Sequence, residues 1–583
     1  NSILAETEKP VTADTSTIAR AAETVSSILP SQPQSSDPLS FGAFAQSATG
    51  EQGFITVSNK VFVLKIAKQG GRIYSVILKD FKTHDGKPLI LFDGDSTVFG
   101  LKFFTVDNKA VQTNELFFTA LDERTTYDVS DAPVTIALRS FAGEDKYIEY
   151  LYTIEPDDYM IDFRAKFHDL KDIVAANQSS ITFDWKMYLP QQEKGRQNED
   201  NYTSIKYKYH QAEVDGFRER STKEIETADI SNRLKWVAFK DQFFSSVIIS
   251  NDYFLNGTVT STRLLLSDKY LRHFSAEAGV PYSAGEDTEM SMQIYFGPNH
   301  FSSLRKYDLD LEELVFLGRN IIRGINQYVI IPVFNFLDNS ISNYGIIILI
   351  LTILIKIVLF PLTFKSYQSQ AKMKVLKPMV DEIGKKFPKA EDAMKKQQAT
   401  MALYKKAGVN PLGGCLPMLL QMPILFAMFR FFPASIELRQ EAFLWATDLS
   451  TYDSILELPF TIPMYGDHVS LFTILMTVST ILTMKFNSPT GGQDQMPGMK
   501  VMMYMMPVMF MLILNNFSSG LTYYYFLANI ITYAQNMISK SFIDENKILK
   551  KLEENSQKPV KKSNWQKRLE DAAKKRGYNP SKK

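Results

Sequence analysis

The sequence has little cysteine and little histidine, which limits the chemistry that it can carry. Cys415 is the single cysteine among 583 residues, so an internal disulfide cannot form. The six histidines are scattered, without an HExxH spacing or a Cys/His cluster. GxGxxG, Walker A and GxSxG motifs are also missing. These absences argue against a cofactor enzyme, and we expect neither a cofactor nor a metal.

The chain also lacks a strong net charge, but its charges are unevenly placed. The 65 Lys and Arg residues nearly balance the 64 Asp and Glu residues, which argues against a polyelectrolyte partner. Residues 1–342 contain 35 basic and 47 acidic side chains, net −12, so the remaining 241 residues are net +13. Nearly all long apolar runs lie in this second part. The sequence therefore predicts a multidomain membrane protein, with a soluble domain joined to a membrane domain.

The soluble part begins with a segment that has no periodic apolar pattern. Residues 1–49 are rich in Ser, Thr, Ala, Pro and Glu, which is typical of a disordered spacer. The chain opens without Met or an apolar stretch, so we expect an export signal or anchor helix to precede it. Alternating apolar residues then recur through 50–300, for example at 147–154 and 180–187, and predict a large all-β sandwich.

The membrane part begins with a linker at 301–342. Within it, residues 321–337 are mostly apolar, with Arg319 just before them and Arg323 near their start, which predicts an amphipathic helix lying on the membrane surface. A membrane span needs about 20 apolar residues. We predict five spans in residues 343–539, at about 344–364, 412–432, 469–486, 499–514 and 521–538.

Loop charges predict the orientation of these spans, because basic loops stay on the cytoplasmic side. Residues 363–411 carry net +7 and residues 540–583 carry net +8, whereas residues 433–468 carry net −5. The rule places the β-domain outside and the tail at 540–583 in the cytoplasm. Composition leaves open whether this tail binds RNA phosphates or anionic lipid headgroups.

Residues 365–408 predict a cytoplasmic helical hairpin that breaks at Phe387-Pro388. One interpretation is a solvated spacer that fixes topology, and the other is a mobile platform that receives substrate or ribosome. The candidate contact residues on its two helices are Met373, Leu376, Met401 and Tyr404.

Lys356 is the strongest candidate for a functional residue, because it is a charge well inside a predicted span. Its side chain could extend to the headgroups, or it could face a watery cavity and attract an anionic guest segment. Thr352 lies one turn earlier on the same face. The other candidate groove residues at membrane depth are Gln421, Asn529 and Gln535, which could equally hold helices together.

Several sequence segments together resemble the bacterial YidC membrane-protein insertases. They are YFGP at 295–298, LTILIKIVLFPLT at 351–363, MALY at 401–404, VNPLGGC at 409–415, LQMP at 420–423, ELR at 437–439 and Ser519-Gly520 before three tyrosines. In that family an arginine usually occupies the position of Lys356. The charge is kept here, but a bidentate fork is replaced by a point charge.

The resemblance implies a fold and a function. The implied fold is a periplasmic β-supersandwich of galactose-mutarotase type followed by a five-helix core, whose hydrophilic groove opens to cytoplasm and lipid. The implied function is insertion of nascent membrane proteins into the inner membrane, without enzymatic activity. Tyr524 or Tyr525 would line a hydrophobic exit path, with Met503 and Met506 from a methionine-rich span nearby. The implied partners are the Sec translocon, the ribosome, signal-recognition components and membrane lipids.

Two other classes of function stay open at this point. A solute transporter could use a buried lysine, although internal repeats are not apparent in the five dissimilar spans. A membrane-anchored carbohydrate-active enzyme would need histidine and carboxylate groups gathered in one pocket of the β-domain.

Overall fold

A computed structural model describes residues 38–94, 97–283, 287–388, 390–409, 416–487, 499–544 and 548–550. Most of the predicted spacer and of the basic tail therefore lie outside the described residues. The chain divides into two compact units, one that ends at Val315 and one that begins at Phe316. We call them the β unit and the helical unit.

The β unit consists of strands that alternate between buried and more exposed residues. Its strands are β1 (Phe54–Ser58), β2 (Phe62–Ala67), β3 (Ile73–Lys82), β4 (Pro88–Asp93), β5 (Val98–Phe104), β6 (Ala110–Gln112), β7 (Thr119–Ala120), β8 (Thr126–Asp128), β9 (Val134–Phe141), β10 (Tyr147–Ile154), β11 (Met160–His168), β12 (Ser180–Pro190), β13 (Ser204–Tyr209), β14 (Val214–Gly216), β15 (Ile225–Ile230), β16 (Leu234–Lys240), β17 (Phe244–Phe254), β18 (Gly257–Arg263), β19 (Tyr270–Pro281) and β20 (Thr288–Pro298). Two short helices, α1 (Arg196–Tyr202) and α2 (Phe301–Leu304), complete it.

These strands form three sheets. The order is β4-β3-β2-β1-β8 in the first, β14-β13-β16-β17-β20-β11-β10-β9-β7 in the second and β15-β18-β19-β12-β5-β6 in the third. The β1–β8 pairing is parallel, whereas the pairings within the second and third sheets are antiparallel. The prediction of an all-β domain ahead of a helical region is confirmed.

Aromatic side chains fill the space between the second and third sheets. Trp185 on β12 stacks on Phe239 of β16, with ring centroids 3.8 Å apart. Phe99 on β5 meets Phe163 of β11 edge to face at 5.5 Å. Because successive residues of a strand point to opposite faces, such pairs bring the inner faces of the two sheets together into one core.

The buried cations of the β unit have carboxylate partners. Arg272 is 3% exposed and its Nε donates to Oδ1 of Asp200 at 2.6 Å, while Arg263 donates to Oδ2 of the same aspartate. Lys240, also 3% exposed, donates to the carbonyl oxygen of Tyr202 and pairs with Glu219 at 3.4 Å. These pairs offset much of the cost of removing the charges from water.

The helical unit contains nine α-helices in its described residues. They are α3 (Ile321–Ile325), α4 (Ile331–Asp338), α5 (Tyr344–Val375), α6 (Lys377–Lys386), α7 (Ala393–Lys406), α8 (Leu416–Ala434), α9 (Leu471–Asn487), α10 (Met499–Leu514) and α11 (Ser519–Ser541). By length and composition, α5 is the one described helix able to cross a membrane, with a mean hydropathy of 2.8 in its best window. Parts of α9 and α10 are shorter apolar helices.

A π-helical turn (Asn326–Ile330) joins α3 to α4. Asn326 is fully buried there and its amide donates to the carbonyl oxygens of Leu317 and Ala427. Tyr328 and Phe336 are both 72% exposed. The segment therefore has an anchored polar residue and a large apolar surface.

The segment from α6 to α7 closes on a small apolar cluster. Leu376, Ala407 and Val409 are buried together, and Met373, Tyr404 and Ile548 pack against them. Ile548 follows α11, so the start of the C-terminal tail contributes to this core. Met401 is 50% exposed and points away from the buried set.

A two-stranded sheet lies between α8 and α9. Its strands are β21 (Leu456–Ile462) and β22 (Gly466–Val469), which pair antiparallel. This hairpin falls in the acidic segment that the sequence suggested only as a loop.

Candidate functional site

Lys356 lies inside the helical unit, on α5. The helix begins at Tyr344, where the side chain of Asn343 accepts a hydrogen bond from the backbone N–H of Ile346 and caps the first turn. Lys356 is 3% exposed, and its Nζ donates to Oγ1 of Thr532 on α11 at 2.8 Å. Among the described residues, no carboxylate forms an ion pair with this ammonium.

Helix α11 brings three polar side chains to the same region at intervals of three residues. Thr532 receives the lysine, and Gln535 donates from Nε2 to the carbonyl oxygen of Lys356 at 2.9 Å. Asn529 faces α9 instead, where its Nδ2 donates to Oγ1 of Thr480 at 2.8 Å and to Oγ of Ser479 at 3.1 Å. Polar contacts thus join α11 to α5 on one side and to α9 on the other. We call the six residues Lys356, Ser479, Thr480, Asn529, Thr532 and Gln535 the polar seam.

Two of the predicted groove residues lie outside this seam. Thr352 is fully buried, and its Oγ1 donates to the carbonyl oxygen of Ile348 in its own helix at 2.6 Å. Gln421 on α8 is half-buried, and the described contacts give it no hydrogen bond to Lys356. The structure therefore brings Lys356 and Gln535 together, places Asn529 against α9, and, within the described part of the chain, leaves Thr352 and Gln421 without a hydrogen bond to the other predicted groove residues.

The burial of Lys356 differs from the watery cavity suggested by sequence. With 3% of its surface exposed, the ammonium is shielded by the surrounding helices. Removing an ammonium from water has a large free-energy cost. A neutral hydroxyl partner offsets less of this desolvation cost than a carboxylate would. The Thr532 hydroxyl thus occupies the position at which an anion would pair with the Lys356 ammonium.

The residues predicted to line a hydrophobic exit path differ in how far their side chains are exposed. Tyr524 is 1% exposed and packs near Phe432, whereas Tyr525 beside it is half-buried. Met506 on α10 is 45% exposed. Met503 lies on the same helix, and its side chain is outside the described residues.

Sequence reasoning missed three members of the polar seam, namely Ser479, Thr480 and Thr532. Hydroxyl residues in a helix commonly bond their own backbone, as Thr532 does with the carbonyl oxygen of Ala528 at 2.7 Å, so their presence alone carries little signal. A usable signal is the spacing of Asn529, Thr532 and Gln535, which places all three on one side of an otherwise apolar helix.

The gathered histidine and carboxylate groups that a carbohydrate-active enzyme needs are not found among the described residues of the β unit. His168 pairs with Asp287 at 3.2 Å, but this pair lies on the surface. His273 contacts the ring of Tyr188, with ring centroids 4.5 Å apart, and His84 bonds the carbonyl oxygen of Gln192.

An all-β unit ahead of apolar helices that enclose a buried cation defines an integral membrane protein with a large folded extramembrane domain. A membrane protein insertase of Parabacteroides distasonis is 44% identical over 91% of this chain and 85% of its own length, and one of Bacteroides fragilis is 42% identical over 90% and 85%. The chain belongs to the YidC family of membrane protein insertases. Its relatives are named as insertases, not enzymes, and it is an inner-membrane protein with a periplasmic domain.

Two family models cover the chain in succession, and the boundary between them lies within the first helices of the helical unit. The YidC periplasmic domain matches residues 54–330, and the 60Kd inner membrane protein matches residues 336–547. A crystal structure of an active YidC insertase with its first transmembrane domain resolved is 18% identical over 83% of this chain and 92% of its own, with a TM-score of 0.32.

Proposed function

We propose that residues 343–539 form a five-span transmembrane core that inserts guest membrane proteins through a hydrophilic groove built on the polar seam. Residues 50–300 form the periplasmic β-supersandwich, and residues 301–342 link it to the core through a helix on the membrane surface. The hairpin at 365–408 and the tail at 540–583 lie in the cytoplasm. The loop charges of +7, +8 and −5 support this orientation, and exposed Tyr328 and Phe336 support the surface helix.

The groove works by an exchange of the hydrogen-bond partner of the Lys356 ammonium. In the resting arrangement the ammonium bonds the Thr532 hydroxyl and is closed off from water. An acidic residue in the guest's polar tail replaces this hydroxyl as the partner when α5 and α11 separate. A carboxylate is the stronger partner, because its full negative charge attracts the ammonium whereas a hydroxyl offers only a dipole.

The barrier that an insertase must lower is the passage of polar backbone through hydrocarbon. Each unsatisfied backbone group there costs several kcal/mol. The hydroxyl and amide groups of the polar seam offer hydrogen-bond partners along this path. Helix α10, with 16 residues, is about 24 Å long and is shorter than the roughly 30 Å hydrocarbon layer, which favours local thinning.

The guest's apolar helix then leaves sideways into lipid. Half-buried Tyr525 and exposed Met506 line this exit, and Met503 and Tyr524 belong to the same path by position. The net driving force is burial of the guest's apolar helix. The membrane potential adds about 2.3 kcal/mol per 100 mV for each acidic charge that moves outward.

Further partners act at the cytoplasmic face. The cytoplasmic hairpin forms a platform that contacts the nascent chain through exposed Met401, whereas Met373, Leu376 and Tyr404 hold the hairpin together in its apolar cluster. The basic tail recruits the ribosome, signal-recognition components or anionic lipids through its net +8 charge. Insertion of guest proteins together with the Sec translocon uses this same transmembrane core.

The observation that carries this proposal is the buried Lys356 ammonium with a hydroxyl as its hydrogen-bond partner. Its test is reconstitution of the purified chain in liposomes with a single-span guest that has either acidic or neutral tail residues. Lys356→Met should lower insertion of the acidic guest by about tenfold or more, because an ion pair at about 4 Å and an effective dielectric constant of about 20 is worth about 4 kcal/mol. Insertion of the neutral guest should fall much less.

Two matched variants control this experiment. Lys356→Arg keeps the charge and should keep most of the activity, whereas Thr532→Val removes only the neutral partner and should leave insertion equal or faster. Equal losses for both guests, or a Thr532→Val loss as large as that of Lys356→Met, would contradict the partner exchange.

A further inference from the structure

The hairpin of β21 and β22 presents an apolar face away from the rest of the helical unit. Glu457 pairs with His468, and His468 is 2% exposed, with its Nε2 bonded to the carbonyl oxygen of Asn515 at 2.9 Å. Leu456 neighbours Glu457 and so lies on the opposite side of the strand, and Phe460 follows within an irregular stretch of the pairing between Glu457 and Ile462. They are 58% and 61% exposed.

Two turns in the same segment hold apolar residues in a backbone conformation that disfavours them. Met464 has φ +67° in the tight turn closed by the Tyr465 N–H and the Ile462 carbonyl oxygen, and Leu444 has φ +55°. Glycine or asparagine is the usual residue at such positions. Both side chains are nevertheless apolar and exposed, at 68% for Met464 and 69% for Leu444. Both turns therefore expose an apolar side chain even though the residue adopts an unfavourable left-handed backbone conformation.

The base of the hairpin is fixed at the start of an apolar helix. Only Ser470 separates β22 from α9, and the Asp453 carboxylate accepts the backbone N–H groups of Leu471 and Phe472 at 2.8 and 3.1 Å. The same carboxylate accepts the indole N–H of Trp445 at 2.9 Å. Farther along α9, Val478 is 50% exposed. The exposed apolar side chains of the hairpin thus lie directly before an apolar helix of a membrane protein.

We propose that this hairpin is a membrane anchor, whose exposed apolar side chains (Leu456, Phe460 and Met464) insert into the lipid layer at the N-terminal end of α9. Residues 433–468 carry six acidic and one basic side chain, so phosphate headgroups are not the attraction and the contact is with the acyl-chain boundary. Anchoring at this point would fix the depth and tilt of α9, the helix that supplies Ser479 and Thr480 to the polar seam. The anchor itself depends neither on Lys356 nor on insertion activity.

The test uses the full chain in zwitterionic phosphatidylcholine and phosphatidylethanolamine vesicles at a low protein-to-lipid ratio. Cys415→Ser removes the native thiol, and an environment-sensitive fluorophore is attached to Phe460→Cys or, as the matched control, to Thr461→Cys on the other face of the strand. Lipids that carry a nitroxide near the headgroup should quench the label at 460 at least about twofold more than the label at 461, because neighbouring strand residues point to opposite sides. Aqueous iodide should show the reverse order.

Two results would overturn the anchor. One is strong iodide quenching of both labels without quenching by the nitroxide lipid, which would place the hairpin in water. The other is blue-shifted emission at 460 without lipid quenching, which would place this face against a second copy of the chain.

Met464→Gly gives an independent readout, since glycine accepts the positive φ. It should leave the thermal unfolding midpoint in detergent unchanged or higher while weakening nitroxide quenching of the label at 460. A lower midpoint would assign Met464 to packing within the protein and would remove it from the anchor. Insertion assays on Lys356 variants are separate from these measurements, so either proposal can fail alone.

Discussion

The β unit and the helical unit bury their cations in different ways. Arg272 and Lys356 are each 3% exposed, but Arg272 donates to the Asp200 carboxylate at 2.6 Å and Lys356 donates to the Thr532 hydroxyl at 2.8 Å. The same degree of burial thus comes with an ion pair in one unit and a neutral contact in the other. The paired cation is part of the fold, whereas the cation with a neutral partner weakens the fold and is suited to a ligand.

Two neighbouring buried acids of the β unit, Glu199 and Asp241, lie in surroundings that disfavour their charged forms. Burial raises the pKa of Glu199 well above its usual value and also raises the pKa of the neighbouring Asp241. The Glu199 carboxyl accepts the backbone N–H groups of Gln192 and Glu193. The buried charges described in this unit are therefore either paired with an opposite charge or shifted toward the neutral form. In the helical unit, Lys356 departs from that pattern.

The largest effect that could break this comparison is loss of the Arg272 guanidinium. Arg272→Met leaves Asp200 with Arg263 as its remaining charged partner, and we expect a loss of about 3 kcal/mol in unfolding free energy, the upper end for hydrogen bonds to a charged group. Urea unfolding of the full chain in detergent, followed by the fluorescence of buried Trp185 and Trp236, measures this loss.

The control for that variant is Arg164→Met. Arg164 pairs with Glu289 at 3.8 Å, and the two side chains are 40% and 42% exposed, so the expected cost is at most about 1 kcal/mol. If both variants lose the same stability, burial does not distinguish the two ion pairs and the contrast between the units weakens.

A smaller effect should appear on lowering the pH. Burial, with a further contribution from Lys186, lowers the pKa of His273 from 6.5 to about 4. The folded state favours the neutral ring, so the stability that His273 contributes is full above pH 6.5 and is lost as the pH falls from 6.5 to 4. The loss should be on the order of 2 kcal/mol after allowance for partial exposure.

This pH effect is checked by comparing His273→Leu with the unaltered chain. Urea unfolding of the β unit at pH 7 and pH 5 should give a smaller difference for the variant. An identical pH dependence in both chains would show that His273 titrates in the folded protein as it does in the unfolded one.

The smallest expected effect is on the stability of the helical unit when Lys356 is removed. Lys356→Met leaves Thr532 bonded to the carbonyl oxygen of Ala528 and leaves the Gln535 contact to the backbone intact. Because a desolvated charge also disappears, the unfolding free energy should stay within about 0.5 kcal/mol or rise by about 1 kcal/mol. Thermal unfolding in detergent, followed at the helical circular dichroism band, measures this. A loss of more than about 2 kcal/mol would reveal a structural role for the ammonium.

Local patterns predicted much of the fold. Alternation at 147–154 matches β10, and the apolar run after Asn343 matches α5, because each pattern reports directly on a face that must be buried. The hairpin of β21 and β22 was missed, because its segment was considered only for its charge. Positions such as Met464, where a non-glycine residue has a positive φ, contradict the local rules by which turns are recognised.

The candidate site was predictable only in part. Lys356 and Gln535 stand out as polar residues in apolar runs, so the sequence points to them directly. Their contact does not follow from sequence, because it depends on how α5 and α11 rotate and pack across 179 positions of chain. Thr532 was missed for the same reason, and its hydroxyl acquires a special role only through the lysine that it faces.

The packing of Ile548 affects how deletions of the C-terminus should be interpreted. A chain that ends after Lys550 lacks most of the basic residues but keeps the apolar side chain that completes the cluster of Leu376, Ala407 and Val409. A chain that ends before Asp544 removes both. Comparing the two truncations separates the electrostatic contribution of the tail from its mechanical support of the neighbouring helices.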